Sequence, residues 1–483
     1  MHRLVPSIEV ELDLASRRGR KQCWLPRSPN PSKGVPGMVN KRSAGDASYR
    51  RRMSRVAMAS FVGTTIEWYD FFLYGTMAAL VFSQLFFTKL DPATGTIASF
   101  ATFAAGFLAR PLGGIAFGYF GDRAGRKASL IASLSLMGIS TFLIGILPTY
   151  SSIGILAPIL LSIFRLVQGF ALGGEWAGAA ALATEHADEG KRGFYGGWVQ
   201  LGSSAGSVLA TATVLLLSAL LDEDSFLSWG WRVPFLLSAV LVVVGMFIRL
   251  KVEETPVFQQ MKREGRRGRM PLAAVVQRQW RTVLLVVGMH LANTTIAYLT
   301  GVFLLSYGTK QIGMESNTVL LAKLTTGLIL VTLVSMPAAA LGDRIGRRPV
   351  YLAGTIGLVV VAFPALWLFD TGNFALVFIA VLLLGLANVL MYQTQGAFFT
   401  EIFAPDIRCT GAALGVQVAT VIGGGTAPII ATSLILFSAG NSWPVSVYLI
   451  VIGLISTACT LLVKESRPAR TGTQVAAEGA LSR

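Results

Sequence analysis

Gly121-Asp122-Arg123-Ala124-Gly125-Arg126-Lys127 recurs as Gly342-Asp343-Arg344-Ile345-Gly346-Arg347-Arg348, each copy joining two long apolar stretches. The copies stand 221 residues apart, from Asp122 to Asp343, close to half of the hydrophobic part of the chain. That spacing implies an internal duplication. Parallel halves with the same charged hairpin at the same place form bundles that can rock about a site held between them, the plan of an alternating-access carrier.

Working outward, 53% of the 483 residues are hydrophobic, 14% are charged and the mean hydropathy is +0.61. This is too little charge to coat a soluble protein of that size. The expected fold class is an all-α polytopic membrane protein. Crossing about 30 Å of hydrocarbon takes roughly 20 apolar residues in a helix, and twelve such stretches follow one another: 56–84, 97–119, 127–148, 153–184, 194–220, 230–250, 281–308, 317–341, 349–369, 373–400, 410–438 and 443–463. They divide into two six-helix bundles, 55–250 and 281–464, joined by a basic linker, 251–280. A basic N-terminal tail, 1–54, expected to be disordered, and a short C-terminal tail, 465–483, complete the organisation.

The net charge of +16 does not point to nucleic acid, because of where it lies. Lys and Arg crowd the N-terminal tail, both hairpins, Lys191-Arg192, the linker, Arg408 and the C-terminal tail. The alternate loops hold only Lys89, only Lys310, or the acidic run Asp222-Glu223-Asp224. The positive-inside rule then places both termini and both hairpins in the cytoplasm of a cell-membrane protein. The same basic loops also suit anionic headgroups. Residues 1–50 lack a continuous apolar core and do not read as a secretory signal peptide, and Met38 and Met53 are alternative starts. Cys23, Cys409 and Cys459 form no metal-binding or disulfide pattern. Gly423-Gly424-Gly425 follows no strand and precedes no Lys-Ser/Thr, so it is not read as a phosphate loop.

Charged side chains inside apolar stretches cost roughly 2.5–3.5 kcal/mol each on the insertion scale, so each needs a partner or a task. In the first stretch Glu67, Asp70 and Tyr74 are spaced i, i+3, i+7 and are expected on one face. Arg110 in the second stretch reaches a similar depth. One reading gives Arg110 a substrate carboxylate and gives Asp70 or Glu67 a proton to carry; the other makes them a buried ion pair that only fixes helix packing. Arg165 and Gln168, one turn apart, are expected to face the cavity, where Arg165 would tie proton release from a neighbouring acid to conformation. Glu175 is a second candidate proton carrier or a bond to a neighbouring helix. Tyr69, Tyr74, Gln168, Trp176, Asn293 and Gln393 complete the expected substrate contacts, with His290, Lys323, Asn388 and Gln395 as weaker candidates in the second half. The hairpins read as a cytoplasmic gate, in which Asp122, Arg123 and Arg126 work with Glu185, and Asp343, Arg344 and Arg347 with Glu401 and Arg408. No metal site, activated nucleophile or soluble catalytic domain suggests an enzyme.

Across roughly 55–465 the repeated Gly-x-x-x-Asp-Arg-x-Gly-Arg hairpin and Arg165-x-x-Gln168-Gly169 resemble the major facilitator superfamily. Within it, Glu67-Trp68-Tyr69-Asp70-Phe71, Ala109-Arg110-Pro111-Leu112-Gly113-Gly114, Gly173-Gly174-Glu175-Trp176 and Trp229-Gly230-Trp231-Arg232-Val233-Pro234-Phe235 are similar to the metabolite:proton symporter family. The resemblance implies proton-driven uptake of shikimate, 2-oxoglutarate, citrate, other carboxylates, or proline and betaine, with protons as coupling ion and no cofactor. Phe72-Leu73-Tyr74-Gly75-Thr76 and Leu147-Pro148-Thr149-Tyr150 look most like the shikimate-type branch, and the C-terminal tail lacks the heptads of osmosensing betaine carriers. The expectation is a carrier of a small carboxylated metabolite, functional as a monomer. The alternatives are a symporter of a zwitterionic osmolyte, whose ammonium would meet Trp68, Tyr69 and Trp176, and a transport-inactive membrane sensor.

Overall fold

The structure is a computed structural model that describes residues 39–185, 192–250, 272–403 and 408–463. Side chains are described there except in 39–57, 59–60, 118, 121–123, 126, 174–185, 192–199, 248–249, 272–274, 276 and 408–409. The chain divides into two units, residues 1–51, in which 39–51 are helical, and residues 52–483. The account below concerns the second.

Its helices are α1 (the part of Val39–Leu80 from residue 52 on), α2 (Pro92–Ala124), α3 (Arg126–Gly145), α4 (Leu156–Glu185), α5 (Arg192–Leu220) and α6 (Arg232–Leu250) in the first half. The second half begins with α7, which runs Leu272–Tyr298, through a π-helical turn Leu299–Phe303, to Leu304–Lys310. Helix α8 is built likewise from Ser316–Ile329, a π-turn Leu330–Val334 and Ser335–Ile345. Then come α9 (Arg347–Asp370) and α10 (Phe374–Glu401). Helix α11 comprises Arg408–Ala419, a π-turn Thr420–Gly425 and Ala427–Phe437, and α12 is Trp443–Leu462.

Among the described residues ten helices are long and apolar enough to cross a membrane, and the pair Glu223–Gly230 and Arg232–Phe247, bent by 44°, makes an eleventh. The twelfth expected span is α1, part of a helix of 42 residues, whose apolar run is interrupted by Glu67 and Asp70. Large apolar side chains such as Leu216, Val243, Leu333, Val360 and Trp367 stand exposed on the outer faces, which suits lipid and not water. Two details differ from the sequence expectation. Helix α1 begins inside the segment read as a tail, and the spans expected to be continuous at 281–308, 317–341 and 410–438 each contain a π-turn. Two of these turns precede a proline, Pro337 and Pro428, whose missing N–H leaves the carbonyl four residues back without its usual helical partner; the turn in α7 has no such mark in the apolar pattern.

The duplication is preserved in the backbone. At equivalent places between α2 and α3, and between α8 and α9, Gly125 has φ 106 and ψ 151 and Gly346 has φ 102 and ψ 150. Only glycine adopts such angles without strain, so the hairpin can turn back sharply at this residue. The residue two places on is also used alike: Lys127 donates to Leu250 O at 2.6 Å and Arg348 to Leu461 O at 2.7 Å, each binding the carbonyl end of the last helix of its half.

Within the first half α4 packs on α2 and α3, and α3 on α6; within the second, α9 packs on α10 and α12, and α7 on α11 and α12. Helices α5 and α8, and α2 and α11, join the halves. The α2–α4 crossing is close enough that a Cβ at Gly169 would overlap the Gly106 carbonyl, and one at Gly173 the Arg110 carbonyl. Small residues permit this approach in a bundle without a hydrophobic drive between helices. It lets the Arg110 and Arg165 side chains, from different turns, reach the same Phe71 ring.

Candidate functional site

A cavity of about 200 Å³ lies between the halves, smaller than the roughly 300 Å³ at which pockets for drug-sized ligands begin. Three formally charged side chains line it: Glu67 and Arg110 from the first half and Lys323 from the second.

Arg110 is 4% exposed, with its guanidinium carbon 4.4 Å from the Phe71 ring centre and 4.7 Å from that of Phe107. Glu67 and Tyr298 interact with it electrostatically. Its Nε and Nη2 have no hydrogen-bond partner among the described residues. A guanidinium held by stacking, with part of its donor fork unused, is prepared for a planar carboxylate.

Phe71 also carries a second cation. Arg165, fully buried, lies 4.4 Å from the same ring centre, 4.2 Å from that of Tyr74 and 4.8 Å from that of Phe103. Its Nη1 donates to Gln168 Oε1 at 2.5 Å, Gln168 Nε2 donates to Thr141 Oγ1 at 2.8 Å, and Thr141 Oγ1 donates to Asp70 Oδ2 at 3.0 Å. Ser238 of α6 approaches the same carboxylate. Asp70 is completely buried and does not line the cavity. One aromatic ring thus meets both an arginine at the cavity and an arginine wired to a buried carboxylate.

The second half faces the cavity mainly with neutral polar groups. Asn293 Nδ2 donates to Asn388 Oδ1 at 2.6 Å, and His290, Gln395 and Gln417 also line it. Hydrogen bonds join the halves on both sides of Arg110. Towards the hairpins, Tyr392 Oη donates to Ser203 Oγ at 2.7 Å and Gln200 Nε2 to Tyr392 O at 3.0 Å. At the opposite end Lys310 Nζ donates to Ser83 Oγ at 2.9 Å and Thr96 Oγ1 at 2.8 Å, while Ser218 Oγ donates to Asn317 Oδ1 at 2.5 Å.

Of the residues expected at a substrate site, the structure brings Arg110, Glu67 and Asn293 together around the cavity, with His290, Lys323, Asn388 and Gln395. It separates others. Glu67, Asp70 and Tyr74 do not work from one face: Glu67 faces the cavity, Asp70 faces α3 and α6, and the Tyr74 hydroxyl donates to Thr102 Oγ1 at 2.8 Å. Tyr69 is also corrected, because its hydroxyl turns away to donate to Pro234 O at 3.0 Å. Gln168 is spent on Arg165 and Thr141, Arg165 lies behind Phe71, and Gln393 is buried outside the lining. The sequence reading missed Tyr298, Phe71 and Tyr392. Phe71 sits in the quoted Glu67–Phe71 run, whereas Tyr298 and Tyr392 had no signal beyond being aromatic in an apolar stretch.

At the hairpin of the second half, Arg347 is ion-paired with Glu401 and, at 3.1 Å, with Asp343. All three belong to one half, so this cluster ties the end of α10 to its own hairpin and does not bridge the halves. Arg344 is exposed. The side chains of Asp122, Arg123, Arg126, Glu175, Trp176, Glu185 and Arg408 lie outside the described residues.

A duplicated helical bundle with a charged cavity between its halves is the architecture of a polytopic secondary carrier. Residues 56–282 match the family model described as sugar (and other) transporter, and residues 316–482 that of the major facilitator superfamily. The chain is 43% identical to the shikimate transporter of Escherichia coli K12, covering 86% of this chain and 96% of that one. It is 41% identical to the inner membrane metabolite transport protein YhjE of the same strain, covering 86% and 94%, and 33% identical to its proline/betaine transporter, covering 88% and 87%. The xylose transporter XylE of E. coli, in a partially occluded inward open conformation, has the same fold, with a TM-score of 0.68 at 18% identity over 87% of this chain and 99% of that one. The chain belongs to the major facilitator superfamily.

Proposed function

We propose that this carrier takes up a small carboxylated metabolite together with protons by alternating access. The observation that carries the reading is Arg110, at the cavity with two unused guanidinium nitrogens and connected through Phe71 and Arg165 to Asp70. Arg110 takes the substrate carboxylate. Asp70 is the proton carrier: its buried carboxylate exchanges a proton when movement of α3 or α6 admits water, and Arg165 and Gln168 hold Thr141 against it meanwhile. The likeness to a shikimate transporter supports the substrate class. Hydrogen bonds join the halves on both sides of the cavity; in this reading, breaking those of Lys310 and Asn317 opens one side, and breaking those of Tyr392 opens the other. In this reading the hairpins face the cytoplasm, as do both termini, and the chain works as a monomer with protons as the only coupling ion.

A second reading, symport of a zwitterionic osmolyte, is favoured by Glu67 and Trp68 in the lining and by the proline/betaine relatives. One experiment separates them. Purified protein in liposomes with an internal pH dye is offered shikimate, 2-oxoglutarate, citrate, benzoate, proline and betaine. Acidification on adding an organic acid, absent in protein-free liposomes, is the expected result. Acidification with proline or betaine alone would support the osmolyte reading, and substrate binding without flux of any compound would indicate a sensor.

A further inference from the structure

We propose that Lys323 is the anion-binding group of the second half and makes the cavity prefer anionic over zwitterionic substrates; this rests on the carrier reading of the same cavity. Among the described residues the formal charges lining the cavity do not balance. Glu67 is one negative group, against Arg110 and Lys323, which leaves one positive charge in excess. Arg110 has Glu67 beside it and, behind the wall, Arg165 has Asp70. Lys323 forms no ion pair among the described residues: its ammonium donates to Gly301 O at 2.6 Å and to nothing else there. A cation kept within the bundle without a counter-ion is costly enough to mark a function, and the missing anion is the substrate's.

The place of Lys323 fits that role. Gly301 lies in the π-turn of α7, where the i→i+5 pattern disturbs the normal carbonyl pairing, so the ammonium rests on a neutral acceptor that an anion can replace. Gly301 packs against the Phe72 ring, which is 6.2 Å from the ring of Tyr298, and Tyr298 neighbours Arg110. The two cations therefore flank one turn of α7 from opposite halves. An anion reaching both draws the halves together, whereas a zwitterion brings its own positive group towards Lys323 and gains less.

The test uses the full-length protein in liposomes and in detergent, with Lys323→Gln and Lys323→Arg beside the wild type, and shikimate, 2-oxoglutarate and proline as probes. Loss of one charge-assisted contact predicts that Lys323→Gln binds the acid about tenfold or more weakly. Proline affinity should be unchanged or higher, Lys323→Arg should restore acid binding, and maximal rates should change less than KM. Independently of any variant, saturating shikimate or 2-oxoglutarate should protect Lys323 of the wild type from an amine-acylating reagent, read by peptide mass spectrometry. Unchanged acid affinity in Lys323→Gln, an equal loss for acid and proline, or absent protection by an acid that binds overturns the assignment of Lys323 alone. A wild type that binds none of the probes removes the carrier reading and this assignment with it.

Discussion

Helices α2 and α8 occupy the same place in the two halves, and at the repeat spacing Arg110 of the first corresponds to Val331 of the second; both line the cavity. The first half sets two cations among aromatic rings and wires one of them, Arg165, to a buried acid. The second offers amides, a histidine and a single lysine, and its three π-turns interrupt α7, α8 and α11, the helices that face the cavity with those groups or beside them. Duplication thus preserved the hinge-like hairpins while charge and helix regularity diverged. An electrostatic network in one half and helices interrupted by π-turns in the other suit a carrier whose halves contribute unequally to a site held between them, since π-bulges concentrate at functional sites.

The strongest way to break that comparison is Arg110→Ala. Losing two charge-assisted contacts, each worth about 1.5–3 kcal/mol, should lower uptake by roughly a hundredfold or more while the protein still inserts and elutes as folded material. Near-normal uptake would take Arg110 out of the site and with it the division of labour between halves. Asp70→Asn follows. It should leave exchange of labelled for unlabelled substrate intact and reduce the steady-state accumulation driven by a pH gradient to equilibration; retained accumulation would move the proton to Glu67 or Glu175.

Gly346→Ala and Gly125→Ala sharpen the comparison where the halves are alike. Each forces a Cβ into a positive-φ conformation, at a cost of about 1–3 kcal/mol, so each variant should melt several degrees lower in detergent, by similar amounts. A loss at one site only would show that the matched angles carry unequal loads. The smallest effect belongs to Arg347→Ala. Its partners Asp343 and Glu401 are 47% and 33% exposed and lie in its own half, and such pairs contribute about 1 kcal/mol or less. Uptake should fall by less than threefold, and a large loss in uptake without a loss in stability would make the cluster a gate after all.

The helix count and the duplication were legible because both rest on local quantities, apolar run length and a motif long enough to recognise twice. Arg110 and Glu67 were legible because charge in an apolar helix is conspicuous. The face of α1 was misjudged for a physical reason: a helix in the middle of a bundle is enclosed on nearly all sides, so residues three or four apart can meet different neighbours. Glu67 met the cavity, Asp70 met Thr141 and Tyr74 met Thr102. Spacing assigns a face but does not say what is opposite it.

Composition and the repeated hairpin were sufficient for a duplicated bundle of membrane helices, since hydrocarbon admits only segments that satisfy their own backbone. Only the tertiary structure decided that Phe71 would meet two arginines, that Asp70 would be shut off from the cavity, and that Lys323 would face it with no ion pair among the described residues. Those outcomes depend on how closely α2 and α4 cross and where α7 loses its regular turn, which are long-range packing matters that no stretch of the chain encodes alone.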